Sequence, residues 1–324
     1  MIAFRILLSA SISVALVWAQ PTPSEREFSL RAESPKFWSL LARSTKLEKV
    51  ATGFKFTEGP LWDKAGFLYV SDEGQNKIFR VYPDGRTEPF AEIRDPDGNT
   101  FDRDGRLITC ASQLRVVAAI AADGSYKILA DKYEGKKFNS PNDIVLGRDG
   151  ALYFTDPSLD LPKGETQELP FQGIFRLDND GSLRLLNKGM NQPNGLAFSP
   201  DGKKLYVDDS KLSEIWVFDV GADGSLTNSR VFGKQQGPPR SGSSDGMKVD
   251  EKGNLFVTGP TGVWVWAPDG THLGTIVMPE SPANLAWGDR DFRTLYISAK
   301  TSVYRVKTKT RGSVTAGPRR RKKI

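Results

Sequence analysis

The sequence predicts an all-β fold, a six-bladed β-propeller with a central channel, and three observations lead to this class. Similar segments recur six times at intervals of about 38 to 52 residues, and periods near forty with several short strands each are typical of propellers. Within each repeat, short apolar runs are bounded by turns rich in Asp and Gly, as expected for strands. The sixth repeat has only three such runs, so a strand from elsewhere must complete it.

The first strand of each repeat begins with one residue in a common register, followed by an apolar stretch. The six segments are Glu58–Trp62, Asp97–Phe101, Asn142–Leu146, Asn194–Phe198, Asp245–Val249 and Ala283–Trp287. Because the innermost strands of a propeller start near the central channel, we expect these first residues to face each other around the axis. Turn preferences explain any single Asn-Gly or Asp-Gly pair, but they do not explain Glu58 and Asn142 in the same register.

The second and third strands of the repeats follow the first strands in order. The second strands are predicted at Phe67–Val70, Arg106–Thr109, Ala151–Thr155, Lys204–Val207, Asn254–Val257 and Thr294–Ile297. The third strands are predicted at Lys77–Val81, Gly173–Leu177, Glu214–Phe218, Gly262–Trp266 and Ser302–Val306. The sixth repeat stops near Lys307, and Leu47–Gly53 is predicted to supply its fourth strand and close the ring.

The chain begins with a short apolar run behind a positive charge, which predicts a secretory signal. Arg5 precedes the run Ile6–Trp18, and Val17-Trp18-Ala19 suits signal peptidase. The run is too short for a stable membrane span, although an uncleaved anchor is the alternative. We therefore expect a signal at 1–19, a lead-in at 20–44 with Phe37–Leu41 packed outside the ring, and one propeller at 45–307. The protein is expected to be exported, to the periplasm or outside the cell.

The distribution of charge does not imply a nucleic-acid partner, and the cysteine content does not support a disulfide framework. The formal charge is +6, but five positive charges lie in Arg319–Lys323, within a tail at 308–324 that is expected to be disordered. The propeller itself is near neutral, so nucleic acid is not implied. Cys110 is the single cysteine, which leaves no disulfide framework. The oligomeric state is not indicated.

The shortage of histidine excludes several kinds of catalytic site. His272 is the only histidine, and it lies in the outer part of the fifth repeat. Ser-His-Asp and Cys-His machinery therefore lacks its base, and a zinc site of His and Cys is excluded. No Gly-rich phosphate loop links a strand to a helix, so nucleotide cofactors are not indicated.

Four of the register residues form a set of hard oxygen ligands. They are Glu58, Asn142, Asn194 and Asp245, two carboxylates and two amides. Such a set suits Ca²⁺, and suits Mg²⁺ less well because Mg²⁺ keeps several of its waters. Two negative charges match one divalent cation, and the amide oxygens add coordination without adding repulsion. Mn²⁺ and Zn²⁺ are further candidates for the single ion.

The sequence around these residues resembles the gluconolactonase/regucalcin (senescence marker protein) family. The matching motifs are Glu58-Gly-Pro60, Ser140–Asp143, Gln192–Gly195 and Ser244–Met247, within a resemblance that runs from about Pro35 to Lys307. It implies a six-bladed propeller with one catalytic divalent cation in the channel, held by Glu58, Asn142, Asn194 and Asp245. It also implies hydrolysis of a lactone, with organophosphates as substrates of some relatives.

The resemblance implies a mechanism as well. The cation would polarise the lactone carbonyl, and Asp245 would also be the general base, with Asp143 or Asp97 as alternatives. Asp143 would otherwise orient Asn142 or bind the ion through water, and Asp97 would contact substrate hydroxyls. The segments Cys110–Gln113 and Ser158–Leu161 depart from the bacterial gluconolactonase pattern, which leaves the particular lactone open. A non-catalytic sugar-acid-binding propeller and a phosphotriesterase-type hydrolase are the alternative functions.

Overall fold

The computed structural model of the chain describes residues 26–238 and 241–313. Six antiparallel sheets of four or five strands and one two-stranded hairpin occupy these ranges, and the innermost strands of neighbouring sheets contact each other in a closed cycle. The predicted six-bladed propeller is confirmed. The helices in these ranges are two short 3₁₀ turns, Pro35–Ser39 and Glu73–Gln75, so none there could cross a membrane. The predicted signal and Arg319–Lys323 lie outside the described residues. Residues 308–313, expected to belong to a disordered tail, are instead ordered, since Gly312 forms a β-bridge with Asp250 and Thr310 is buried.

The strands run in chain order from the inner to the outer edge of each blade. Two strands come first, β1 (Ser29–Ala32) and β2 (Glu48–Thr52). Blade 1 contains β3 (Thr57–Asp63), β4 (Phe67–Asp72), β5 (Lys77–Val81) and β6 (Thr87–Glu92). Blade 2 contains β7 (Pro96–Phe101), β8 (Leu107–Ala111), β9 (Val116–Ile120) and β10 (Tyr126–Ala130), and the hairpin β11 (Lys132–Tyr133) and β12 (Lys136–Lys137) follows.

The remaining blades repeat the same order. Blade 3 contains β13 (Ile144–Leu146), β14 (Leu152–Asp156), β15 (Gly173–Leu177) and β16 (Leu183–Asn187). Blade 4 contains β17 (Pro193–Phe198), β18 (Lys204–Asp209), β19 (Glu214–Val220) and β20 (Leu226–Lys234). Blade 5 contains β21 (Met247–Val249), β22 (Leu255–Gly259), β23 (Gly262–Trp266) and β24 (His272–Val277). Blade 6 contains β25 (Pro282–Gly288), β26 (Thr294–Ala299) and β27 (Ser302–Lys307).

The ring closes where the sequence predicts it. Strand β2 pairs antiparallel with β27 and becomes the outer strand of blade 6, with Glu48 opposite Arg305 and Thr52 opposite Ser302. The first part of the propeller is thereby hydrogen-bonded to its last part. This pairing covers the edge that β27 would otherwise expose to other chains.

The lead-in is more ordered than the sequence predicts. Strand β1 pairs with β24 as a fifth strand of blade 5, an element that the sequence analysis did not predict. The 3₁₀ turn that follows is capped by Ser34, whose hydroxyl accepts from the amide of Lys36. Its Phe37 is completely buried and lies over Gly274, where a Cβ would come within 2.8 Å of the ring. The predicted packing of Phe37–Leu41 on the outside of the ring is therefore observed.

The core lies between adjacent blades. In one cluster, Val117 of β9 packs with Phe154 and Phe175 of the next blade, and equivalent clusters fill the other blade interfaces. Buried area of this kind is the main favourable term in folding. The strands that carry the register residues are thus held in place by packing on both faces.

Replacing Phe37 with alanine should destabilise the protein by about 3–5 kcal/mol, the usual cost of removing a buried phenylalanine. The measurement is the free energy of unfolding from urea denaturation. Ile128→Ala is the control, because Ile128 is 46% exposed on β10 and should shift stability by less than about 0.5 kcal/mol. Equal effects of the two substitutions would show that the lead-in does not stabilise the ring.

Candidate functional site

The structure places all six register residues at one end of the central channel. Glu58, Asp97 and Asn194 are each the second residue of an inner strand. Asn142 and Asp245 lie two residues before β13 and β21. Because every inner strand starts at the same end of a propeller, these side chains come together although they are far apart in the sequence.

Hydrogen bonds between blades show how close these residues are. Asn142 Nδ2 donates to Asp97 Oδ2 at 2.6 Å, and Ser112 Oγ donates to the same oxygen at 3.0 Å. Asp97 therefore fixes the orientation of the Asn142 amide. The amide oxygen of Asn142 takes no part in this contact. Asn142 belongs to blade 3, and Asp97 and Ser112 to blade 2. This contact gives Asp97 a role in supporting Asn142, in addition to the predicted contact with substrate.

The four predicted ligands keep oxygens without a protein partner. Glu58 Oε2 accepts from the amide of Gly59 at 2.6 Å and from Asn284 Nδ2 at 2.9 Å, whereas Glu58 Oε1 is buried and makes no hydrogen bond. Within residues 26–238 and 241–313, no hydrogen bond occupies the side-chain oxygen of Asn142 or Asn194 or the carboxylate of Asp245. A buried oxygen without a partner, such as Glu58 Oε1, is costly, and a cation bound among these side chains would satisfy it.

The electrostatics of the site also favour a cation. Burial raises the pKa of Glu58 to about 7, with a contribution from the nearby Asp143 carboxylate. Burial and neighbouring carboxylates raise the pKa of Asp97 and of Asp245 well above the usual range. Among the described residues, the Lys248 ammonium opposes this effect and lowers the pKa of Glu58 and Asp143. Positive charge placed among these groups would favour their ionised forms.

The donor set fits a hard divalent ion and requires the amides. Among the described residues, no group of three or more His, Cys, Asp and Glu side chains is arranged to hold a metal ion. Any ion would therefore need the oxygens of Asn142 and Asn194 as well as Glu58 and Asp245. Oxygen donors of this kind suit Ca²⁺. His272 lies outside the site, stacked on Trp264 in blade 5 with 4.4 Å between ring centroids.

Asp143 lies behind the register residues and is buried. Its Oδ1 accepts from the amide of Ile144 at 2.8 Å, and its Oδ2 is buried without a partner. Burial raises its pKa. The backbone of Gly98 approaches so closely that a Cβ there would lie 2.3 Å from Asp143 Oδ1, so this glycine is required for the approach.

The sequence analysis missed three residues of the site. Asn284 contacts Glu58, but the register in the sixth repeat stops at the neighbouring Ala283. Lys248 donates to Asn284 Oδ1 at 3.1 Å, and it follows Asp245 by three residues. The third residue is Asp208, which is completely buried in β18 with neither carboxylate oxygen hydrogen-bonded.

Asp208 could have been found by aligning the second strands. The residue before the last one of β4, β14 and β22 is Ser71, Thr155 and Thr258, respectively. Each hydroxyl donates over 2.7 Å to the backbone carbonyl of the register residue in the next blade, at Asp97, Asn194 and Ala283. Asp208 holds this position in blade 4, so a carboxylate stands where blades 1, 3 and 5 carry a hydroxyl donor.

Comparison with known proteins assigns the family. The family model described as "SMP-30/Gluconolactonase/LRE-like region" matches residues 56–301. The gluconolactonase of Zymomonas mobilis subsp. mobilis is 38% identical over 308 residues, which cover 86% of each chain. The chain belongs to the SMP-30/gluconolactonase/LRE-like family. The resemblance described from the sequence is thereby confirmed.

Solved structures of the family agree with the fold. A gluconolactonase from Xanthomonas campestris is 31% identical, with a TM-score of 0.81 over 90% of this chain and 99% of the other. Regucalcin from Agrobacterium tumefaciens, described as a calcium-binding protein, is 20% identical, with a TM-score of 0.68 over 80% of this chain and 93% of the other. At that identity the second likeness supports the fold alone.

Both segments that depart from the bacterial gluconolactonase pattern reach the site of this family member. Ser112, in Cys110–Gln113, donates to Asp97 Oδ2 and also to the carbonyl of Pro141 at 2.8 Å. Asp160, in Ser158–Leu161, lies close enough to raise the pKa of Asp95, which burial and this carboxylate together bring to about 6. The departures therefore change the walls of the channel mouth.

Replacing Asp208 with threonine should stabilise the metal-free protein at pH 8 by about 1–3 kcal/mol, because a buried acceptor without a partner is removed. Burial raises the pKa of Asp208 in the folded state. Ionisation of Asp208 therefore destabilises the folded protein as the pH rises above the usual carboxyl range. The stabilisation should therefore shrink as the pH falls towards 4. Thermal unfolding at both pH values, with chelator, is the measurement.

The control is the neighbouring Asp209→Thr. Asp209 Oδ2 accepts from the amide of Asn191 at 2.7 Å, so its replacement should destabilise the protein. If Asp208→Thr also lowers the midpoint at pH 8, the carboxylate of Asp208 has a stabilising role and this reading of it is wrong.

Proposed function

We propose that the protein is a divalent-metal-dependent hydrolase of a sugar-derived or related lactone. One observation carries the proposal: the side chains of Glu58, Asn142, Asn194 and Asp245 lie at one end of the channel, each with at least one oxygen that no described residue hydrogen-bonds, in a chain that is 38% identical to a gluconolactonase. Ca²⁺ is the proposed ion, since all four donors are hard oxygens.

The proposed chemistry divides between the ion and the protein. A divalent cation held by the four residues would polarise a carbonyl and stabilise negative charge developing on its oxygen. Asp245 is the proposed base because the residue is partly exposed and its carboxylate makes no hydrogen bond with the described residues.

The alternative bases are less available. Asp97 Oδ2 already accepts from Asn142 and Ser112, and its backbone carbonyl accepts from Ser71. Asp143 is only 2% exposed, and one of its oxygens is bonded to a backbone amide. Proton transfer to either residue would therefore have to use its other carboxylate oxygen, and both residues are only 2% exposed.

The mouth of the channel argues against a module that binds sugar acids. Glu73, Asp95 and Asp160 follow or precede strands at the end where the register residues lie. Besides burial, the carboxylates of Asp95 and Asp160 raise the pKa of Glu73, and that of Asp160 raises the pKa of Asp95. No described Lys or Arg forms a salt bridge with them. Asp95, whose pKa is about 6, is ionised at neutral pH, so an anionic ligand would be repelled there, whereas an uncharged lactone would not.

We also propose that the protein is exported without residues 1–19, on the basis of Arg5, the short apolar run and the Val17–Ala19 sequence. The expected result is a mature chain that begins at Gln20. Mass spectrometry of the protein from its native host is the measurement. An intact Met1 in that material would contradict the proposal.

The activity test is the initial rate of hydrolysis on a panel of lactones, with and without chelator. We expect at least one lactone to be hydrolysed and the rate to vanish when the ion is removed. A phosphotriester in the same panel tests the alternative substrate class. Binding of a divalent ion without turnover of any panel member would favour a binding module.

Neutralising the two carboxylates should have different effects. Glu58→Gln should mainly weaken the ion, so excess cation should partly restore the rate. Asp245→Asn keeps an oxygen but cannot accept a proton, so the rate should fall by about two to four orders of magnitude and added cation should not restore it. The measurement is the initial rate against metal concentration for both variants. Recovery of Asp245→Asn at saturating metal would transfer the base role to Asp143 or Asp97.

A further inference from the structure

We propose that Lys248 and Asn284 are positioning residues that hold Glu58 ready to ligate the cation, an inference that rests on the proposed metal site. Lys248 Nζ donates to Asn284 Oδ1 at 3.1 Å, and Asn284 Nδ2 donates to Glu58 Oε2 at 2.9 Å. The three residues come from blades 5, 6 and 1. They form one chain of hydrogen bonds that ends on a predicted ligand.

The direction of each bond in this chain is fixed. Asn284 Oδ1 accepts from Lys248 and also from the amide of Leu285 at 2.8 Å. With two donors on its oxygen, the amide can present only its NH₂ group to Glu58. Glu58 Oε2 in turn receives Asn284 Nδ2 and the amide of Gly59. The remaining oxygen, Oε1, is left without a partner and is the one available to an ion.

Strand β21 supplies the donor for Asn284, and the residue before the strand leaves space for the Asn284 side chain. A Cβ at Gly246 would lie 2.0 Å from Asn284 Cγ, so a side chain there would displace the amide. Lys248 is two residues further along the chain, on the same face of the extended backbone. The segment that carries Asp245 therefore supplies both the space for Asn284 and the donor that orients it.

Lys248 has no other partner that would explain its position. Its second hydrogen bond goes to the carbonyl of its neighbour Met247 at 3.0 Å, and within the described part of the chain it forms no salt bridge. A partly buried ammonium group bonded to an amide is uncommon. Its positive charge opposes the negative charge of Glu58 and Asp143, which compensates for its burial.

Two roles of Lys248 can be separated by experiment: it could orient Asn284, or it could act only through its positive charge. As a charge alone, Lys248 repels a divalent ion, so removing it would tighten binding. As a support for Asn284, removing it would weaken binding. The two roles therefore predict opposite signs for the same substitution.

The experiment is calorimetric titration of the chelator-treated full chain with Ca²⁺. Asn284→Ala leaves the net charge unchanged and should weaken Ca²⁺ binding by about 10- to 100-fold, the usual effect of removing a group that orients a metal ligand. Lys248→Met should also weaken it. In the Asn284→Ala background, Lys248→Met should instead leave the affinity unchanged or increase it, because only the charge then remains to be removed.

Two further variants complete the design. Lys252→Met removes the same charge from an exposed residue in the turn after β21 and should leave the dissociation constant unchanged. Lys248→Arg keeps both charge and donors and should recover most of the affinity lost in Lys248→Met. The metal-free melting midpoint of each variant, compared with that of the unaltered protein, identifies a variant that does not fold; if Asn284→Ala is one, the Lys248→Met and Lys248→Arg pair decides.

The outcomes separate this inference from the proposed function. If the unaltered protein binds no divalent ion, the metal site itself is wrong. If it binds Ca²⁺ and folded Asn284→Ala binds it equally well, the positioning role alone is wrong. Tighter binding by Lys248→Met in the otherwise unaltered chain would show that Lys248 acts only as a charge.

Discussion

The antiparallel pairing of β2 with β27 is the constraint on which the site depends. The ligand register is spread from Glu58 to Ala283, and no two of its residues share a blade. They face one point only if the ring is closed, because an open array of blades would let the first and sixth diverge. The contact between Glu58 of blade 1 and Asn284 of blade 6 spans this closure directly. Local backbone pairing at the outer edge thus determines geometry at the centre.

Much of this architecture can be predicted from the sequence because propeller blades repeat. The apolar runs of β4, β5, β18 and β26 are bounded by clear turn signals, and one polar register recurs at the start of the inner strands. A repeated position constrains a fold more strongly than any single motif. The same reasoning located the closing strand, since a three-stranded last repeat leaves one edge unpaired.

The parts that were missed depend on neighbours that a linear pattern does not contain. Strand β1 is only four residues long and half exposed, and it is a strand because β24 offers it an edge. One miss has a different cause: the third strand of blade 2, Val116–Ile120, was not assigned although its apolar run is a sufficient signal. Asn284 is one residue out of register, and only the packing of blade 6 against Gly246 brings it to Glu58.

The site illustrates a general compromise between stability and function. Glu58, Asp97, Asp143 and Asp208 are buried carboxyl groups within one small region, and their proximity destabilises the fold without a compensating positive charge. Lys248 supplies one such charge. The hydroxyls of Ser71, Thr155 and Thr258 tie the inner strands together behind the acids, so the scaffold holds the repelling groups in place.

The acidic mouth formed by Glu73, Asp95 and Asp160 has a consequence for the direction of turnover. Opening a lactone ring converts an uncharged molecule into a hydroxy acid, which is an anion at neutral pH. The carboxylates at the mouth do not repel the uncharged lactone that enters. They do repel the hydroxy acid anion that the reaction produces. At pH values where Asp95 is ionised, above about 6, the chemical step itself thus creates a repulsion that favours release of the product, and added salt would screen it.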